Sequence, residues 1–240
     1  VANPWVCFET NVTGTLNLLE LCKEHGGKKF ILASTSRLYG NPKSEVRSPK
    51  STPRPFREDA NTDGPLSPYA ASKKAAKALC YTYHYLYGID VTVMRYFTVY
   101  GPAGRANMSL FRFVQWISEG RPVIVYGDGK QERDFTHVDD IARGTIASLK
   151  PLGYEVVNLG SDTPVVLMDA IRLVEELVGK KANIEYKPRH PADVLVTWAD
   201  IGKAERLLGW QPRSSFRQGI SRLVTWYQVN RHWAKDIVTP

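Results

Sequence analysis

The chain has 240 residues, 43% of them hydrophobic and 23% charged, with a formal net charge of +8. That is ordinary globular usage, long enough for one or two buried cores. No apolar run reaches the roughly 18 residues of a membrane span, and the basic residues are scattered rather than clustered with aromatics. The charge therefore points to an anionic ligand and away from membrane and nucleic-acid partners.

The first 22 residues read as a helix: Asn3 can cap it, Pro4 suits the first helical position, and Val12, Leu16, Leu19 and Cys22 recur at helical spacing. "KKFILAST" (28–35) reads as a buried strand, and 40–66, dominated by Pro, Ser, Lys and Arg, as loop. A helix over about 67–87 and the strand "DVTVMRYF" (90–97) follow. Next come a helix near 108–119, a strand at 121–127, a helix from Val138, a strand at 155–160 and a helix near 167–178. A strand at 182–186 and helices near 200–208 and 216–233 complete the chain. Strands alternating with helices predict an α/β protein with a parallel sheet. Three cysteines, Cys7, Cys22 and Cys80, fit reduced thiols in a cytoplasmic setting rather than a disulfide framework. The five histidines show no metal-ligand spacing, so no metal is expected.

"SPYAASKKAA" (67–76) places Tyr69 and Lys73 four apart on the helix, on one face. Free tyrosine, with a pKa of about 10, is a poor base at neutral pH; an ammonium within roughly 4–6 Å favours the phenolate. Such a pair can act as a general base, although Tyr-x-x-x-Lys also arises by chance in surface helices. Nearby, "STSRLYG" (34–40) sets the hydroxyls of Ser34, Thr35 and Ser36 at a strand's carboxyl end, the edge where open α/β sheets bind ligands. "RYFTVYGP" (95–102) and "RDFTHVDD" (133–140) add two more ordered motifs.

With these four motifs in order, the chain resembles the extended short-chain dehydrogenase/reductases, specifically the nucleotide-sugar epimerases and dehydratases. The likeness is nearest to the uridine diphosphate glucuronate 4-epimerases through "RYFTVYGPAGR" and "LFRFVQWISEGRPVIVYGDGKQERDFTHVDDIARG". The resemblance implies a Rossmann-type doubly wound parallel sheet lacking its first strands, with the NAD-binding part at 1–100. A smaller α/β substrate domain at 101–240 is expected to interleave with it.

The resemblance also implies roles. Tyr69 is the base, Lys73 its partner and a holder of the nicotinamide ribose, and Thr35 the hydroxyl on the reacting oxygen. Asn11, Ser34, Tyr96 and Phe97 lie toward the NAD cofactor. Ser36, Thr98, Arg105, Ile124, Tyr126, Arg133, His190 and Asp193 lie toward a UDP-sugar: Ile124 and Tyr126 at the uracil, Arg133 at the diphosphate. His190 stands where galactose-type epimerases carry an arginine. Each residue also has a plainer reading, Tyr126 as core and Asn11 as a polar helix residue. Asp139 and Asp140 read as helix-start carboxylates complementing the dipole.

The glycine-rich turn and adenine-ribose acid of the family are not found in these 240 residues, so an amino-terminally truncated enzyme is expected. A homodimer is expected when full length. Arg37 occupies the position where dehydratases and decarboxylases resemble one another in a glutamate. An arginine cannot serve as acid or base near neutrality. The expected reaction is therefore inversion at carbon 4 of a UDP-sugar through a transient 4-keto sugar, with UDP-glucuronate and UDP-galacturonate favoured. Galactose-type epimerases, which carry asparagine where Thr98 stands, are the alternative, as is a non-catalytic remnant that binds a nucleotide sugar. Arg105 is the nearest cation for a carbon-6 carboxylate. The basic insertion "KSEVRSPKSTPR" (43–54) has no physical account beyond a lid or partner surface.

Overall fold

The computed structural model describes residues 3–40, 54–189 and 193–239; His190 and residues 43–53 of the basic insertion lie outside them. Asn3 accepts a hydrogen bond from Trp5 N and starts α1 (Pro4–Phe8), with Pro4 at the tolerant first turn. The helix then widens into a π-helical turn (Glu9–Thr13), where Gly14 N bonds Glu9 O, before continuing as α2 (Gly14–Glu24). The sequence expectation of one regular helix is corrected at this turn. Leu19 is fully buried, whereas Leu16 faces outward.

Strand β1 (Lys29–Thr35) runs into a 3₁₀ turn (Ser36–Tyr39). Helix α3 (Pro68–Tyr87) is capped by Ser67, which accepts from Ala70 N, and is stopped by left-handed Gly88. Then follow β2 (Asp90–Tyr96), β3 (Thr98–Tyr100), α4 (Ser109–Glu119), β4 (Pro122–Tyr126) and β5 (Glu132–His137). The chain continues through α5 (Val138–Ala147), β6 (Tyr154–Leu159), β7 (Pro164–Val166) and α6 (Leu167–Val178). It ends with β8 (Asn183–Lys187), α7 (Gly202–Leu208) and α8 (Phe216–Ala234).

The α/β architecture with parallel pairing is as the alternation of elements predicts. β2 lies between β1 and β6, parallel to both, with Thr35 opposite Tyr96 and Tyr96 opposite Leu159. β3 pairs parallel with β5, placing Thr98 opposite Phe135, and β4 pairs parallel with β8. The expected strand 90–97 ends one residue early because Phe97 turns into the core and the chain leaves for the second sheet. β5 and β7 were not expected. They pair antiparallel, from Glu132 opposite Val166 to Asp134 opposite Pro164.

Three apolar clusters hold these layers. Leu19 of α2 and Cys80 of α3 pack with Leu32, Val91 and Val93 of the first sheet; Met94, Phe97, Val157, Leu159 and Trp210 fill the opposite face of β2 and β6. Phe113, Trp116, Ile171, Ile220 and Tyr227 form the core among α4, α6 and α8. The last third of the chain thus returns to the first sheet through α7 and Trp210. Part of the expected loop is also tied down: Phe56 N bonds Trp198 O and Asp200 N bonds Phe56 O.

Candidate active site

The polar machinery gathers where the carboxyl ends of β1 and β2 meet the start of α3. Lys73 Nζ donates to Ala33 O at 2.9 Å, which fixes the helix against the strand. One helical turn toward the start of α3 is about 6 Å, and two residues along β1 is about 6.6 Å. A helix returning antiparallel beside β1 therefore brings Tyr69 level with Thr35. Contacts of α3 with both β1 and the 3₁₀ turn agree with that placement.

Thr35 is buried, and its Oγ1 accepts from Arg37 N at 3.2 Å. With that lone pair occupied, the hydroxyl hydrogen remains to be donated to a ligand. Ser34 Oγ is buried without a partner among the described residues, an orphan at the strand end that calls for a bound polar group. Ser36 is buried beside it. Burial moves the Lys73 ammonium below its ordinary pKa, so part of its hydration is already lost.

Asn11 joins this group through the π-helical turn, a feature common at functional sites. Its Nδ2 donates to Ser72 Oγ at 3.0 Å, and Ser72 Oγ donates to Tyr69 O at 2.8 Å. The Asn11 carbonyl, within the widened turn, accepts from Thr15 Oγ1 at 2.6 Å. Ser72, fully buried between Tyr69 and Lys73, is a site residue that sequence reasoning missed. Its signal was present: a serine on the inward face of an alanine-rich helix.

Arg133 forms a second focus. Its NH2 donates to Asp193 Oδ1 at 2.7 Å, and its NH1 to Glu132 O and Leu195 O at 2.8 and 3.2 Å. Burial, reinforced by the charges of Arg37 and Arg189 and opposed by Asp193, moves its guanidinium below the usual value. Beneath it, Asp134 is fully buried and accepts from Ser161 N at 2.6 Å, Ala199 N at 3.0 Å and Thr136 Oγ1 at 3.3 Å. Beside Arg133, Gly127, Asp128, Lys130, Gln131, Arg189 and Val196 line an open cleft of about 400 Å³.

Other expected residues lie apart. Thr98 and Arg105 border a narrow cavity with Tyr100, Gly101 and Phe111. Arg105 is exposed and its Nε donates to Asn107 Oδ1 at 2.6 Å. Ile124 and Tyr126 share one face of β4: Ile124 packs on the core of α4 and α6, and Tyr126 is 42% exposed. Tyr96 and Phe97 have packing roles in their side chains: Tyr96 OH bonds Thr145 Oγ1 at 2.8 Å and Phe97 is buried under β2. Asp139 pairs with Arg222 at 3.0 Å. Asp140 is buried and accepts from Arg213 N and Ser214 N, so it anchors the chain entering α8 rather than only complementing a helix dipole.

Among the described residues no helix is long and apolar enough to cross a membrane. Residues 1–160 match the NAD dependent epimerase/dehydratase family. The chain is 56% identical over 236 residues, 98% of its length and 70% of the relative's, to a UDP-glucuronate 4-epimerase of Thermodesulfobacterium geofontis. In structure it resembles the UDP-glucuronic acid 4-epimerase of Bacillus cereus solved with UDP-glucuronic acid and NAD. That likeness has a TM-score of 0.84 at 36% identity, over 92% of this chain and 68% of the other. It also resembles the UDP-glucose 4-epimerase of Thermotoga maritima solved with UDP-glucose, at a TM-score of 0.85 and 31% identity, over 96% and 73% of the two chains.

Proposed function

Because the chain belongs to the NAD dependent epimerase/dehydratase family, we propose that it is an NAD-dependent epimerase that inverts carbon 4 of a UDP-sugar, with UDP-glucuronate and UDP-galacturonate as its pair. The observation that carries this reading is the Lys73–Ala33 bond, which sets the start of α3, with Tyr69, against the end of β1, with Thr35. The 56% identity to a UDP-glucuronate 4-epimerase supports the acidic sugar.

The orphaned Ser34 hydroxyl, the half-buried Lys73 ammonium and the Asn11–Ser72 bridge fit the polar end of a nicotinamide nucleotide. Ser34, Tyr69, Lys73 and Asn11 would hold it, and the backbone at Tyr96 and Phe97 borders the same edge. When bound, NAD supplies reversible oxidation at carbon 4. Tyr69 takes the proton of the carbon-4 hydroxyl and returns it after the keto sugar has turned over. Thr35, its lone pair already filled by Arg37 N, donates its hydrogen to the reacting oxygen. Lys73, held by Ala33 O, keeps a positive charge beside the phenol as it ionises. Arg133, Asp193 and His190 are assigned to the diphosphate and ribose, and Ile124 and Tyr126 to uracil. Thr98, Ser36 and Arg105 are assigned to the sugar.

A homodimer is part of this proposal. Exposed Trp5, Tyr81 and Tyr85, at 81%, 54% and 76%, support an apolar helical face for a second copy, which light scattering of the holoenzyme tests. The free cysteines support a reducing, cytoplasmic setting. Turnover of UDP-glucuronate by NAD-loaded enzyme tests the reaction. Tyr69→Phe should lower kcat about 100-fold or more, the range for general acid–base catalysis, with KM little changed. Near-native turnover in that variant would remove Tyr69 from the chemistry.

A further inference from the structure

Arg37 is a cation that nothing above employs as a side chain. Its backbone is pinned on both sides: Arg37 N donates to Thr35 Oγ1, and Arg37 O accepts from Gly40 N. The side chain is exposed and makes no hydrogen bond or ion pair among the described residues. Its backbone is therefore fixed two residues beyond the hydroxyl assigned to the reacting oxygen, while no described residue pairs with its charge.

The strand registers bring other charges to the same edge. Thr35 lies opposite Tyr96, and Arg133 precedes by two residues the Phe135 that faces Thr98. Arg133 thus stands at the level of the β1–β2 strand ends, above the carboxyl end of β6, where its neighbour Asp134 binds Ser161 N. Arg189, from the segment after β8, lines the cleft beside Arg133 together with Leu195, whose carbonyl accepts from Arg133 NH1. The charges of Arg37 and Arg189 both act on the Arg133 guanidinium, whose bonded carboxylate is Asp193. Like charges brought to one edge favour an anionic ligand.

Two anions are present on an acidic nucleotide sugar. The diphosphate hangs from carbon 1, across the ring from the reacting carbon. The carboxylate at carbon 6 is attached through carbon 5, directly beside carbon 4. Arg37, next to the Thr35 that addresses carbon 4, is placed for the second, and Arg133 and Arg189 for the first. Arg105 already has its Nε engaged by Asn107, whereas the Arg37 fork meets no partner among the described residues.

We propose that Arg37 is a specificity-determining residue that meets the carbon-6 carboxylate of the substrate and selects acidic over neutral nucleotide sugars. This rests on the epimerase reading above and adds a residue to it. The same side chain that removes a glutamate's acid–base chemistry from this position would supply charge recognition in its place.

The test uses full-length, NAD-loaded enzyme with Arg37→Gln and Arg37→Lys, assayed on UDP-glucuronate and UDP-glucose, with calorimetry on UDP alone. Arg37→Gln should lower kcat/KM for the acid about 10- to 100-fold, the loss of charge-assisted hydrogen bonds, and change the neutral sugar and UDP affinity less than about 3-fold. Arg37→Lys should keep most of the preference for the acid. Equal losses on both sugars, unchanged kcat/KM for the acid, or UDP binding weakened about as much as the acid's kcat/KM would each overturn the assignment. Failure of the unmutated enzyme to epimerise either sugar would instead refute the reaction itself.

Discussion

Asp134→Asn probes how the second focus of the site is built. The carboxylate is fully buried and receives three donors, two of them backbone N–H groups at 2.6 and 3.0 Å. An amide keeps one acceptor oxygen and turns an NH₂ toward a donor, so one of the two backbone N–H groups loses its partner. A hydrogen bond to a charged group is worth about 1.5–3 kcal/mol, and an orphaned buried N–H costs about 1–3 kcal/mol. Burial works the other way. It raises the Asp134 pKa despite the bonds that lower it, so part of the gain from a charged carboxylate is spent on desolvation. The net expected loss is about 2–3 kcal/mol. With a urea slope near 3 kcal/mol per molar, the midpoint should fall by about 0.7–1 M. The same substitution loosens the 197–199 segment beneath Arg133, so KM for the nucleotide sugar should rise while kcat changes less. A midpoint within about 0.2 M of the unmutated protein would refute the reasoning, because it would mean that the three bonds and the desolvation cancel.

Two further outcomes follow from particular contacts. Ser72→Ala removes the link between Asn11 Nδ2 and Tyr69 O, so NAD affinity, read by fluorescence titration, should fall about 5- to 10-fold, corresponding to roughly 1 kcal/mol for a neutral hydrogen bond. Unchanged affinity would confine Ser72 to packing. His137 is buried, and burial lowers its pKa beneath 6.5 despite Asp139 and Asp140 nearby. Between its folded and unfolded pKa the unfolded chain binds the extra proton, so this group lowers stability as pH falls from 6.5 toward the folded pKa. His137→Asn keeps an acceptor for Asp139 N without titrating. Its urea midpoint should drop less than that of the unmutated protein between pH 7 and pH 5, and parallel curves would refute the assignment.

Much of the first focus was legible because its signals are local. Ser67 and Pro68 announce the start of α3, Gly88 its end, and the four-residue spacing of Tyr69 and Lys73 needs only helix geometry. The π-helical turn at Asn11 was not legible. One added residue in a turn leaves the apolar spacing on either side looking regular, and its stabilisation comes from Thr15 and from Ser72, 61 residues away. β5 escaped notice for a related reason. Its "ERDFTH" has no clean alternation of apolar and polar residues, and its backbone is satisfied from far along the chain: Thr197 N donates to Glu132 O and Asp134 N to Thr197 Oγ1.

Arg95 shows what separates the two kinds of residue. An arginine in a strand ordinarily reads as a surface position, yet here it is 1% exposed, stacked at 4.8 Å on the Tyr39 ring and donating to Tyr39 OH at 2.8 Å. Tyr39 OH in turn donates to Asn158 at 2.7 Å, and Asn158 Nδ2 to Phe56 O at 2.8 Å. Removal from water pushes the Tyr39 phenol up to about 12, so it stays neutral and can be both donor and acceptor at once. Through this chain of bonds β2 holds the end of the turn that follows Thr35 and carries Arg37, and also the segment that leads toward α3. The cost of burying such a charge is set by partners distributed between residues 39 and 158. A periodicity pattern reports apolar burial and is blind to that balance. The strand ends of this protein are shaped by it, which is why the local pieces of the candidate site were readable one by one and their common support was not.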